Sequence, residues 1–403
     1  MSYTLISSVG TGMYKEGYRK TVYVFEDGKK IENHIFLNAL LQNNYREIKK
    51  IILIGTVTSA WDMLVDISDD LWIKTCEAKE NRAIDQALIT EIEQYLTQKL
   101  QKEVIIKFHT DIIDNNTSLE IFDIYNSIIP EIKDENILFD ITHGFRSMPI
   151  LIYQALQFSI SQNSNIKKVE LVYGEYIESK KESYVRDLSD YWRYSQISDA
   201  MTLFIEKLQG NRLSELLQTE WPDCAKVIKR FSDIIASNFS LQIIEVLRNI
   251  KNVLKKVPED LPSYWNKIID FLNELIKINE NKTDARTLFD FAVFLYNKKL
   301  YVQSIITMQE TVEMAVGEYN NCKEYVGDYD WWQESGKKLL NEEKKKDSKM
   351  KEKLNNLEYF RNQIAHGGGK SKRMKGFPQI SNIEAIYNSG KAGVEKLLEM
   401  LNL

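Results

Sequence analysis

The hydrophobic pattern changes period once, near residue 190, and this limits the possible folds more than any other feature. Before it, short apolar runs alternate with helical segments. Residues 3–9, 21–25, 48–54, 104–108, 137–141 and 169–173 read as strands, and Tyr184-Val185 opens one more. The spacing predicts helices over 31–45, 80–100, 147–161 and from the capping-box sequence Thr117-Ser118-Leu119-Glu120 to Pro130. Strands alternating with helices require an α/β layer with a mostly parallel sheet. After Tyr194 strand-like runs nearly vanish. Helical spacing runs over 198–216, 223–256, 264–279, 285–317, 350–366 and 381–402. Pro258 and Pro262 interrupt this half, which suggests three regions: 1–190, 191–280 and 281–403.

Composition narrows the function classes. With 403 residues and 43% hydrophobic content, the chain can bury more than one core. The net charge of −5 gives no overall attraction to nucleic acid, so DNA binding is not expected and RNA contact needs a local basic patch. Cys76, Cys224 and Cys322 are far apart and fit a reducing compartment. His34, His109, His143 and His366 are too dispersed to suggest a bound metal. No long apolar run suggests a membrane span, and Met1-Ser2-Tyr3 opens no basic leader. A soluble, cytoplasmic protein is expected. Residues 337–353 hold eight lysines against four acids, read as a solvated face or part of an RNA path continuing through Lys370, Lys372, Arg373 and Lys375.

Open α/β sheets bind ligands beyond the carboxyl ends of their strands, where strand order reverses. Three predicted strand ends carry suitable groups. Ser8 to Gly12 supplies small residues whose amides can approach a phosphate. Gly55-Thr56-Val57-Thr58 offers hydroxyls. Asp140-Ile141-Thr142-His143-Gly144-Phe145-Arg146-Ser147 runs into a predicted helix, whose N-terminus favours anions, and Arg146 adds a planar fork for phosphate. Gly10-Thr11-Gly12 is equally a turn, and Asp140 and His143 each have an ordinary structural reading. The chain has no P-loop and no full G-x-G-x-x-G, so neither triphosphate hydrolysis nor a dinucleotide redox cofactor is indicated.

The second constellation lies near the end. Leu354, Leu357, Phe360 and Ile364 recur at helical spacing beneath Arg361-Asn362-Gln363-Ile364-Ala365-His366, and Gly367-Gly368-Gly369 stops the helix. Imidazole can move a proton near neutral pH, and guanidinium can stabilise charge on phosphorus. Together they suit RNA cleavage by the 2′-hydroxyl without a metal. Five helical residues rise about 7.5 Å and turn about 140°, so one Arg361/His366 pair looks like half of a site completed across a dimer axis.

The Arg361 to His366 stretch, with polar Asn362 beside the arginine, resembles the R-x4-6-H signature of HEPN ribonucleases. Asp140-x-Thr142-His143-Gly144-x-Arg146-Ser147, with Gly10-Thr11-Gly12 after the first strand, resembles the DxTHG form of the CARF domain. The whole chain is similar to the CARF–HEPN accessory ribonucleases of type III CRISPR systems. The resemblance implies a Rossmann-like α/β CARF domain followed by an all-α HEPN domain, in a homodimer or higher oligomer. It implies a cyclic oligoadenylate activator, cyclic tetra-adenylate ahead of cyclic hexa-adenylate, and single-stranded RNA as substrate. Carried over, Thr11, Gly12, Thr56, Thr142, His143, Gly144 and Arg146 are the ligand-binding candidates. Arg361, Asn362 and His366 are the catalytic ones. Two other readings stay open: a ligand-sensing regulator without nuclease activity, and a CARF domain that slowly degrades its own ligand.

Overall fold

The structure is a computed structural model. It describes residues 2–11, 20–67, 69–109, 128–132, 136–143, 154, 157–158, 166–280, 282–365 and 383–403. The helices expected over 117–130 and 147–161 lie almost wholly outside these residues. The chain divides into two units, Met1–Ser195 and Gln196–Leu403.

In the first unit β1 (Ser2–Ser8), β2 (Thr21–Val24), β3 (Lys30–Asn33), β4 (Glu47–Thr56), β5 (Glu103–His109), β6 (Asn136–Asp140), β7 (Lys168–Ile177) and β8 (Glu182–Asp187) form one sheet. Its order is β3-β2-β8-β7-β6-β1-β4-β5. The run β7-β6-β1-β4-β5 is parallel throughout, while β3 joins β2, and β8 joins β7, antiparallel. Leu5, Ile51, Leu53 and Leu138 face one layer; Ile6, Ile52, Ile54 and Phe139 face the other. Burial on both faces explains why these strands are continuous apolar runs rather than alternating ones.

Helices α1 (Phe36–Asn43) and α3 (Gln86–Leu100) cover the Leu5 face with Phe36, Leu40, Ile89 and Ile92. Between them lie a short 3₁₀ turn (Trp61–Leu64) and α2 (Asp70–Glu80). Two expectations need correction. The helix expected over 31–45 begins only at Phe36, because residues 30–33 pair with β2. That expected over 80–100 is α3 alone, preceded by α2, whose one buried residue, Thr75, leaves little periodic signal.

The second unit is helical: α4 (Ser189–Lys207, containing the unit boundary), α5 (Asn211–Leu217), α6 (Pro222–Ser237), α7 (Ile243–Leu254), α8 (Asn266–Lys277), α9 (Asp284–Asn297), α10 (Tyr301–Tyr319), α11 (Lys337–Lys346), α12 (Ser348–Ala365) and α13 (Ile383–Leu401). Three expected long helices are pairs. Leu208, Asn238 and Lys299 adopt left-handed conformations (φ 59°, 57° and 61°) and break 198–216, 223–256 and 285–317 respectively. One core runs from Ile197 to Leu401. Aromatic contacts within it join residues before and after 280, Phe231 to Phe291 at 6.1 Å and Phe271 to Phe294 at 6.4 Å between ring centroids. The two helical regions read from sequence therefore share a single interior.

The lysine-rich stretch is not uniformly solvated. Lys344 is buried, donating to Asn355 Oδ1 at 2.8 Å with Glu358 at 3.9 Å. Burial pulls its pKa down, partly opposed by Glu358. Among the described residues no helix is long and apolar enough to cross a membrane.

Candidate functional sites

In the first unit β6, β1 and β4 are consecutive in the sheet, so the three strand ends singled out from sequence lie side by side. Chain order reverses there: β4 and β5 extend from β1 on one side, and β6 and β7 on the other. Asp140 anchors the middle. It is fully buried and accepts from Ser7 Oγ at 2.7 Å and from the Thr142 amide at 2.8 Å. Its carboxylate thus ties β1 to the turn that leaves β6. Thr142 Oγ1 accepts from the Gly174 amide at 2.9 Å, linking that turn to β7. Gly174 permits this approach, since a Cβ there would lie 3.2 Å from both Thr142 Cγ2 and the Tyr23 ring.

His143 is fixed from another direction. Ile35, the N-cap of α1, offers no side-chain acceptor, and His143 Nε2 accepts the Phe36 amide at 3.3 Å instead. A ring nitrogen that accepts must be unprotonated, which puts the proton of the neutral ring on Nδ1. Desolvation lowers the His143 pKa, against the pull of Asp140.

The ends of β1 and β4 are laced together. The Val9 amide donates to the Ile54 carbonyl at 2.7 Å, Ser59 Oγ to the Val9 carbonyl at 2.6 Å, and the Ala60 amide to the Gly10 carbonyl at 2.8 Å. Thr11 is exposed, whereas Thr56 is buried, with its hydroxyl 3.1 Å from that of half-buried Thr58. Ser8 Oγ is buried with no hydrogen-bond partner among the described residues. Gly12, Gly144 and Arg146 lie outside the described residues.

In the second unit α12 carries Leu354, Leu357 and Phe360 into the core, with Ile364 packed at its margin. Helix α13 crosses it closely because Gly390 and Gly393 face it: a Cβ on Gly393 would stand 2.8 Å from Lys353 Cβ. The outward face of the last turn carries half-buried Arg361 and exposed Asn362, and Arg361 Nη1 donates to Asn362 Oδ1 at 3.1 Å. His366 lies outside the described residues.

Sequence reading missed two groups near Arg361. Glu310 and Glu313, one helical turn apart on α10, both have pKa values raised to about 7. Desolvation is the main cause for each. Repulsion from Glu313 adds to it at Glu310, and repulsion from Glu358 at Glu313, while Arg361 pulls both down. Sequence offered only their i, i+3 spacing on a helix of mixed polarity, which reads as an ordinary solvated face.

Residues 4–181 match the family model described as the CARF domain of the CRISPR system endoribonuclease Csx1. The chain is also similar to the CRISPR-associated protein MJ1674 of Methanocaldococcus jannaschii, 25% identical over 350 residues. That match takes in 79% of this chain and 54% of the relative, so the chain spans about half the length of the curated relative it matches. The matched segment runs from within β1 to the turn before β8 and includes Asp140, Thr142 and His143. The chain therefore contains an N-terminal CARF domain, with a parallel sheet whose order reverses at these residues, and is similar over most of its length to a CRISPR-associated protein.

Proposed function

We propose that the protein is an endoribonuclease switched on by a cyclic oligoadenylate. The observation that carries this reading is the pairing, in one chain, of a Csx1-type CARF domain with a helix that presents Arg361 and Asn362 in its last turn. The messenger lies across the ends of β1, β4 and β6, where backbone amides, Thr11, Thr142 and the β6 loop meet its phosphates and riboses. Gly12, Gly144 and Arg146 complete the set. Cyclic tetra-adenylate is the favoured ring, since a two-fold ligand suits a two-fold dimer.

Single-stranded RNA is cut in the helical unit, which acts as a HEPN domain. His366 takes the proton of a ribose 2′-hydroxyl, the freed oxygen attacks the adjacent phosphorus, and the bond to the 5′-oxygen breaks. The leaving oxygen picks up a proton. The products are a 2′,3′-cyclic phosphate and a 5′-hydroxyl. Arg361 stabilises the charge that grows on the equatorial oxygens, and Asn362 orients it. Two copies of the motif, one from each subunit, form the working centre. Messenger binding favours the dimer arrangement in which they meet.

The test is RNA cleavage against a panel of cyclic adenylates of different ring size, with and without chelator. Messenger-dependent cutting that survives chelator and disappears in His366→Ala supports the reading. Cutting that stops with chelator overturns the metal-free chemistry, and undiminished cutting by His366→Ala overturns the site.

A further inference from the structure

Three consecutive residues hold the ends of β1 and β4 at a fixed separation. The Ser59 hydroxyl lies between the two strand ends and bonds to both, donating to the Val9 carbonyl at 2.6 Å and accepting the Thr56 amide at 2.9 Å. The Ala60 amide donates to the Gly10 carbonyl at 2.8 Å. Trp61 closes back on β4: its Nε1 donates to the Thr56 carbonyl at 2.8 Å, and its ring rests against Phe108 of β5 at 6.5 Å between centroids. All three residues are buried, so water does not compete for these bonds.

Gly55 shows how closely this clasp is fitted. A Cβ there would overlap the Trp61 ring and stand 2.9 Å from Ser59 Oγ. A serine that served only to turn the chain after β4 would bond within its own turn. Ser59 also bonds to a carbonyl 50 residues earlier. The strand ends it joins are those that carry Thr11 on one side and Thr56 on the other.

We propose that Ser59 is a positioning residue of the messenger site, setting the gap between the β1 and β4 ends and with it the size of ring they accept. At 2% exposed it acts through these strand ends, not by touching the nucleotide. The proposal rests on the cyclic oligoadenylate reading for its purpose, but the clasp itself does not depend on that reading. Losing the hydroxyl frees the Thr56 amide and the Val9 carbonyl together. The gap is then no longer held, and the ring matched to it loses more affinity than a ring of another size.

Two measurements on the full-length protein test this. Amide hydrogen exchange at Thr56 reads the clasp. Ser59→Ala should speed it about tenfold, and Ser59→Thr, which keeps a hydroxyl, should restore slow exchange. Unchanged exchange in Ser59→Ala overturns the proposal whatever the protein binds. Calorimetry with cyclic tetra-adenylate and cyclic hexa-adenylate reads the positioning. Ser59→Ala should weaken the tighter ring about tenfold and the other by less, so that the ratio of their affinities narrows. Equal weakening of both rings is what lost packing alone produces, and it overturns the role in ring size. Gly55→Ala, whose added methyl presses on the same clasp, is the second variant and should also narrow the ratio. Parent-like affinities in both variants overturn the positioning role and leave the messenger reading intact. A parent protein that binds neither ring overturns the messenger reading and the role of Ser59 with it, while exchange at Thr56 still reports whether the clasp exists.

Discussion

The two candidate sites are built in opposite ways. In the sheet, the polar groups around Asp140 are matched, Asp140 accepting from Ser7 and the Thr142 amide and Thr142 from the Gly174 amide, with Ser8 Oγ the exception at the end of β1 among the described residues. In the helical unit, buried polar groups are left short of partners: Glu310 Oε2 and Gln363 Oε1 have none among the described residues. A satisfied network gives a rigid receptor whose geometry precedes its ligand. An unsatisfied one stores a preference for charge or contact that is not yet present. The contrast suits a chain in which one region recognises and the other responds.

The sharpest way to break the comparison is at the responding site. His366→Ala should lower activated cleavage by about 10³-fold while calorimetry finds messenger affinity unchanged. Arg361→Lys should cost about 10²-fold, because an ammonium does not reproduce the fork. Comparable rates for the parent and either variant would mean that chemistry lies elsewhere.

At the recognising site, Asp140→Ala should destabilise the first unit by about 3 kcal/mol in denaturant unfolding, since it strips partners from a buried hydroxyl and an amide. A loss below about 0.5 kcal/mol would show that the network is less tightly matched than its distances suggest.

The carboxyl pair predicts a smaller, pH-dependent effect. A carboxyl raised from 4.5 to about 7 keeps its proton in the folded state where the unfolded chain has lost it. Stability therefore declines as pH rises from about 4.5 to 7 and is level above that. Glu310→Gln should be more stable than the parent at pH 8, by the order of 2 kcal/mol after allowing for solvent near the carboxyl, and equal to it near pH 4. Thermal melts at both pH values check the sign. Gly393→Ala should cost about 1 kcal/mol through crowding of α12 by α13, and a neutral result would show that the helices separate without penalty.

Legibility followed the same divide. The central strands could be read because burial on both faces makes them continuous apolar runs, as in Ile51-Ile52-Leu53-Ile54. Strand β3 could not, because only Ile31 of its four residues is buried and its pairing with β2 is nonlocal information. The helix break at Lys299 carries no Gly or Pro, so nothing in composition announces it, whereas the break at Leu208 contains Gly210. Glycine and proline signals succeed where they exist, as at Asp27-Gly28, where Gly28 has φ +81°. At the sites, groups clustered by strand order were readable from sequence. Glu310 and Glu313 were not, because acids one turn apart resemble an ordinary solvated face until the packing of α10 on α12 is known.

The bond from the Phe36 amide to His143 has a mechanical consequence. It fastens the loop after β6 to the first turn of α1, a helix reached much earlier along the chain. Any rotation of this imidazole must let go of that turn or drag it along, so a displacement at the end of β6 is passed to α1. Acid has a related effect: a second ring proton converts the acceptor into a donor facing another donor, and the fastening opens without any ligand at all.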